Sequence, residues 1–214
     1  MGSFVQTLST VPAPRRAIFA AAGAIATALM SNYLPGTINI FGVPILPGIY
    51  FGALLSALLH IWKVRSTFET LAVLVLTLVA WIAATRTAIY IHDHVMIYLR
   101  EVAGSGNIRE PNYLYALCGI IGGFVGSSIT AFAISSVCKN FRTFENWART
   151  IAVGTGAGVL LECYLRRASD DFSYYNDLPL HVESLLPLYL VWQSGIAACI
   201  AYGIHPVLRS RSSS

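Results

Sequence analysis

Ionisable side chains are scarce in this chain, and those that fall inside apolar runs are the ones whose types could do chemistry. Arg86, Tyr90 and Asp93 recur at i, i+4 and i+7, which is one stripe of a helix. In an apolar surrounding Arg86 would hold an anionic group. Glu162, at a similar depth in another apolar run, would orient Arg86 or bind a cation. The plainer alternative pairs Glu162 with Arg166 one turn further on, while Arg86 snorkels to the outer surface. Gln193 and Ser194 interrupt the middle of the last apolar run. They would form the floor of a polar pocket or an interhelical hydrogen bond.

Other chemistries lack their parts. His92-Asp93-His94 suggests a metal, but residues two apart on a helix point away from each other. His60 and His205 stand at inner helix ends, where a haem needs two histidines facing one another; interfacial histidines are the simpler reading. Gly126-Ser127-Ser128 offers a serine, yet the sixth apolar run, Gln193 to Ala198, holds no histidine to act as its base. No phosphate-binding loop and no H-E-x-x-H occurs. A non-enzymatic protein with no cofactor and no bound metal is therefore expected. Cys118, Cys138, Cys163 and Cys199 sit in or beside apolar runs without ligand spacing, as small buried residues do.

The elements that must position these residues are set by an unusual composition. Of 214 residues, 56% are hydrophobic and only 11% charged, against the roughly 25% charge of a soluble domain. Lipid is the simple partner for such a surface. A membrane helix needs about 20 mostly apolar residues, and six segments qualify or nearly do. They are Ala17–Leu34, Pro44–Trp62, Thr70–Ile91, Tyr113–Val137, Trp147–Leu165 and Ser184–Ile204, the third continuing toward Tyr98. The fold class expected is an all-α integral membrane protein, a polytopic bundle of about six transmembrane helices.

Charge orients that bundle. With the N-terminus inside, the inner segments carry nine of the 14 basic residues and two of the ten acidic ones. This excess of Lys and Arg places both termini in the cytoplasm and favours an even helix count. It also explains the net charge of +4 without nucleic acid, for which there is no motif. The organisation expected is a cytoplasmic segment 1–16, a transmembrane domain 17–205 and a short tail 206–214, multi-pass in the plasma (inner) membrane. Arg15-Arg16, the apolar stretch after them and Ala26-Thr27-Ala28 also fit a signal peptide. That would leave five helices and a basic C-terminus without its partner, so a retained first helix is preferred.

Helices in lipid associate by close backbone approach through small residues. Gly119/Gly123 and Gly122/Gly126 form overlapping G-x-x-x-G pairs, Gly154/Gly158 a third, and Ala20, Ala24 and Ala28 share one face. These faces either pack the chain on itself or dock a second copy or another subunit. The segment Ser31 to Pro44 carries no charge and is broken by Gly and Pro. It is a candidate lid or a plain interfacial loop.

In outline the chain resembles the substrate-binding S components of energy-coupling-factor vitamin transporters. The likeness rests on size, six helices with both ends inside, the Ala20, Ala24, Ala28 run, and the uncharged first loop followed by Pro44 to Gly48. It implies a small molecule captured from outside and a partner at the inner face, and it carries over no binding residue. The function expected is thus a small-molecule binding or transport subunit with an outward polar pocket, its partners being the bilayer, a ligand and another membrane subunit. The alternative is an assembly subunit or homo-oligomeric pore joined through the Gly and Ala faces.

Overall fold

A computed structural model describes residues 12–34, 38–62, 66–103, 113–160 and 185–204. Six α-helices are found among them: α1 (Ala13–Tyr33), α2 (Leu46–Ile61), α3 (Thr67–Ala103), α4 (Leu114–Val137), α5 (Phe144–Gly158) and α6 (Leu186–Gly203). Two two-residue strands, β1 (Asn39–Ile40) and β2 (Val43–Pro44), pair antiparallel between α1 and α2. A 3-10 turn, Lys139–Phe141, joins α4 to α5.

Local chemistry sets the ends of these helices. Proline sits in the first turn of α1, α2 and α6, where its missing N–H is no loss. Ser66 and Glu69 form a reciprocal capping box before α3, with the Ser66 N–H and hydroxyl each 3.1 Å from Glu69 Oε2. The Thr143 hydroxyl accepts from the Asn146 N–H at 3.3 Å and starts α5.

Each helix packs against its neighbour in sequence, and α6 returns to α1, so the six form a closed ring. Three of them, α3, α4 and α6, are long and apolar enough to cross a membrane, and they mark this as a membrane protein. At 16 residues α2 is apolar but shorter. In α1 the apolar run is diluted by Arg15, Arg16, Ser31 and Asn32. Apolar residues face outward as well as inward. Only 22% of the apolar stretch of α3 is buried, and Leu71, Val75 and Val79 stand about half exposed along it. Such a surface suits hydrocarbon and not water.

Helix α3 covers the expected Thr70–Ile91 and its continuation toward Tyr98, and runs on to Ala103. At 37 residues and 1.5 Å rise it is roughly 55 Å long, against a hydrocarbon core of about 30 Å. Its far half is held by a second apolar cluster, in which Met96 meets Leu114 and Cys118 of α4. At the opposite end Arg16 is buried with its guanidinium 5.7 Å from the Trp62 ring, and burial pushes its pKa below the usual value.

The glycine faces are used inside the chain. Gly122 and Gly126 lie against α3, where an added Cβ would fall 2.9 Å from the Ala84 carbonyl oxygen and 2.9 Å from the Ala84 Cβ respectively. On another face of α4, Gly119 and Gly123 meet Gly158 and Gly154 of α5 backbone to backbone. Ala20, Ala24 and Ala28 are fully buried, and none of the three is left open at the surface for another protein. Gly156, by contrast, points into open space.

That contrast gives a paired test. Gly158→Ala should destabilise the purified protein by about 1–3 kcal/mol through overpacking. Gly156→Ala should leave it unchanged or raise its melting temperature slightly, since Ala is the better helix former by about 1 kcal/mol. Thermal unfolding in detergent checks both.

Candidate functional site

The most polar part of the interior is a seam between α1 and α6. Thr27, Ser31 and Asn32 project from α1, and Gln193 from α6. Thr27 donates its hydroxyl to Gln193 Oε1 at 2.7 Å, and the Gln193 amide donates to Ser31 Oγ at 3.0 Å. Both hydroxyls also lie within reach of their own helix, Thr27 of the Ala24 carbonyl at 3.0 Å and Ser31 of the Thr27 carbonyl at 2.7 Å. Gln193 is 0% exposed and all its polar atoms are engaged. Asn32, one residue beyond Ser31, is also 0% exposed, yet neither its amide nitrogen nor its oxygen has a hydrogen-bond partner among the described residues. Two such atoms cost free energy that a partner would recover.

Aromatic rings stand beside this seam. Phe51 of α2 lies 5.3 Å from Trp192, and Trp81 of α3 lies 5.6 Å from Tyr189 one turn further out on α6. The β1–β2 hairpin is anchored at the same end. The Trp81 indole donates to the Pro44 carbonyl at 2.7 Å, and the Tyr50 hydroxyl to the Leu34 carbonyl at 3.1 Å. Arg86 donates from Nη1 to the Phe41 carbonyl at the hairpin tip, 3.0 Å away. The turn is a two-residue one with positive φ at both Phe41 (52°) and Gly42 (75°), the geometry that matches strand twist. Glycine tolerates it; for phenylalanine it is strained by roughly 1–2 kcal/mol. The Phe41 side chain is nonetheless 77% exposed.

The expected pocket residues are therefore divided. Arg86 serves the hairpin, Gln193 serves the seam, and Tyr90 and Asp93 lie exposed on the C-terminal half of α3. There the Tyr90 and His94 rings lie tilted with centroids 3.8 Å apart, and Asp93 sits 3.3 Å from His92. Glu162 and Arg166 fall outside the described residues, as does Cys163. Among the described residues no group of three His, Cys, Asp or Glu side chains could hold a metal ion. Thr27, Ser31 and Asn32 were missed by sequence reasoning. Ser31 and Asn32 read there as the start of the uncharged segment Ser31 to Pro44, and Thr27 as the middle of Ala26-Thr27-Ala28. Compared with known proteins, the chain matches no family model, no curated protein and no solved structure.

Opposite outcomes are expected for two substitutions in the seam. Asn32→Leu removes two unpartnered buried atoms and should raise stability by about 1–3 kcal/mol. Gln193→Leu strips Thr27 and Ser31 of their cross-helix partner and should lower it by about 1 kcal/mol. Melting temperatures of the two purified variants decide; a destabilised Asn32→Leu would mean that the amide is structurally satisfied.

Proposed function

We propose that this protein is a small-molecule binding or transport subunit, a six-span bundle with both termini in the cytoplasm, whose site is the α1–α6 seam beneath the hairpin. The observation that carries the reading is Asn32. A carboxamide held fully buried with both hydrogen-bonding atoms unpartnered costs stability, and a ligand that pairs with it would offset that cost.

The chemistry around it selects the ligand class. The groups described at the seam are two carboxamides, hydroxyls and aromatic rings, and none carries a formal charge. Arg86, the cation first suggested for an anionic substrate, places one of its N–H donors on the Phe41 carbonyl at the hairpin tip and makes no described contact with the seam residues. The ligand is accordingly an uncharged polar molecule with an amide-like or hydroxyl edge and a flat apolar face. The hairpin is its lid, held by the Arg86 bond to Phe41 and hinged on Pro44 and Leu34. The outline likeness to S components agrees with capture from the outer side. The assembly alternative loses support, because the Gly and Ala faces that suggested it are packed inside the chain.

Native mass spectrometry of the untagged protein released from lipid nanodiscs tests this. Wild type should carry one small neutral molecule per chain. Asn32→Leu should lose it, and should melt higher than wild type stripped of the ligand. Arg86→Gln should keep it but exchange it several-fold faster, because the lid has lost one hydrogen bond of about 1–1.5 kcal/mol. A ligand-free, discrete oligomer would overturn the binding reading in favour of an assembly or pore protein.

A further inference from the structure

At the basic end of the bundle, away from the seam, α1 and α5 both pack on α6 and leave a groove of about 280 Å³ beside it. Its walls are Ala17, Ala198 and Cys199, with Arg149 and Tyr202 at one side. The walls are small and apolar. The surface around them is apolar too: Ile18 and Phe19 of α1 and Val191 further along α6 are exposed.

Arg149 is held in place from two directions. Its Nη2 donates to Glu145 Oε1 at 2.5 Å, and its guanidinium lies 4.8 Å from the Tyr202 ring centroid. A guanidinium has five N–H donors, so one carboxylate and one ring leave an edge able to take an anion bidentately. Glu145 is the looser partner, 79% exposed where the Arg149 side chain is 33% exposed. Around the same end stand Arg15, Arg16, Lys139 and Arg142, with Glu69 the other acid among the described residues. The local balance is thus cationic even with Glu145 ionised.

We propose that this groove binds one anionic phospholipid of the cytoplasmic leaflet. Its phosphate would sit on Arg149 and one acyl chain would lie along Ala17, Ala198 and Cys199. Charge complementarity names the headgroup, since basic clefts between membrane helices on the cytoplasmic side suit acidic lipid. The apolar walls name the rest of the occupant, because a free phosphate would leave them in contact with water. Glu145 competes with the headgroup for the same guanidinium and so sets the affinity.

The test is a titration of the full-length protein in detergent with phosphatidylglycerol or phosphatidylcholine, read by native mass spectrometry. One phosphatidylglycerol should bind in preference to phosphatidylcholine. Arg149→Gln should reduce that preference about fivefold, the worth of one basic side chain near a lipid surface. Glu145→Gln should increase it, an outcome a purely structural ion pair does not produce. Ala198→Phe should fill the groove and lower retention of the lipid with Arg149 intact. Three results would overturn the proposal: Arg149→Gln binding phosphatidylglycerol as wild type does, Glu145→Gln weakening it, or inorganic phosphate at equal concentration displacing the lipid.

Discussion

Backbone contact at α4 is the constraint on which the rest of this bundle depends. Lipid tails do not drive helices together as water does, so close van der Waals approach must supply the adhesion. Helix α4 achieves it on two faces at once. Gly122 and Gly126 admit Ala84 and the backbone of α3, while Gly119 and Gly123 admit the α5 backbone at Gly158 and Gly154. Gly126 also lies near the Trp192 ring of α6, where an added Cβ would fall 3.5 Å from it. Three neighbours are thereby registered on one helix, and the ring closes through α1 and α6. The aromatic pairs beside the polar seam inherit their positions from that registration.

Stability and the proposed binding role pull against each other at the opposite end. The interior tolerates a carboxamide with no partner, and the hairpin above it tolerates an aromatic residue in the left-handed region. Either cost would be removed by a conservative change of side chain. Strain and unpaired groups concentrate where a structure is shaped for something besides its own folding. That both fall at one end of one helix pair sets this end apart from the glycine-packed middle, where the contacts described are close and complementary.

Apolar runs made the helices legible, and the limits of that signal are physical. The expected Tyr113–Val137 and the observed Leu114–Val137 nearly coincide, because that run begins and ends sharply. Helix α3 was expected to continue past Ile91 toward Tyr98, and it runs on to Ala103 with its far half packed on its neighbour, as Met96 is on Leu114. The hairpin was read as a broken loop, since its turn is Phe-Gly and not the Asn-Gly or Asp-Gly that announces such turns. Gln193 stood out as a polar residue in an apolar run, but Thr27 and Ser31 did not. A hydroxyl in a helix ordinarily bonds its own backbone, so residue type alone does not reveal a partner more than 160 positions away. Arg86 stood out by its charge, but its partner is a backbone carbonyl, which has no sequence signature.

The length of α3 has a mechanical consequence. A single unbroken helix of 37 residues has no internal joint, so its two halves move together. For a rod of roughly 55 Å, pivoting near one end by about 10° sweeps the far tip through about 10 Å. Arg86 rides on that rod and grips the hairpin by one hydrogen bond. Any displacement of the C-terminal end of α3 is therefore carried, as a lever carries it, to the hairpin that Arg86 holds.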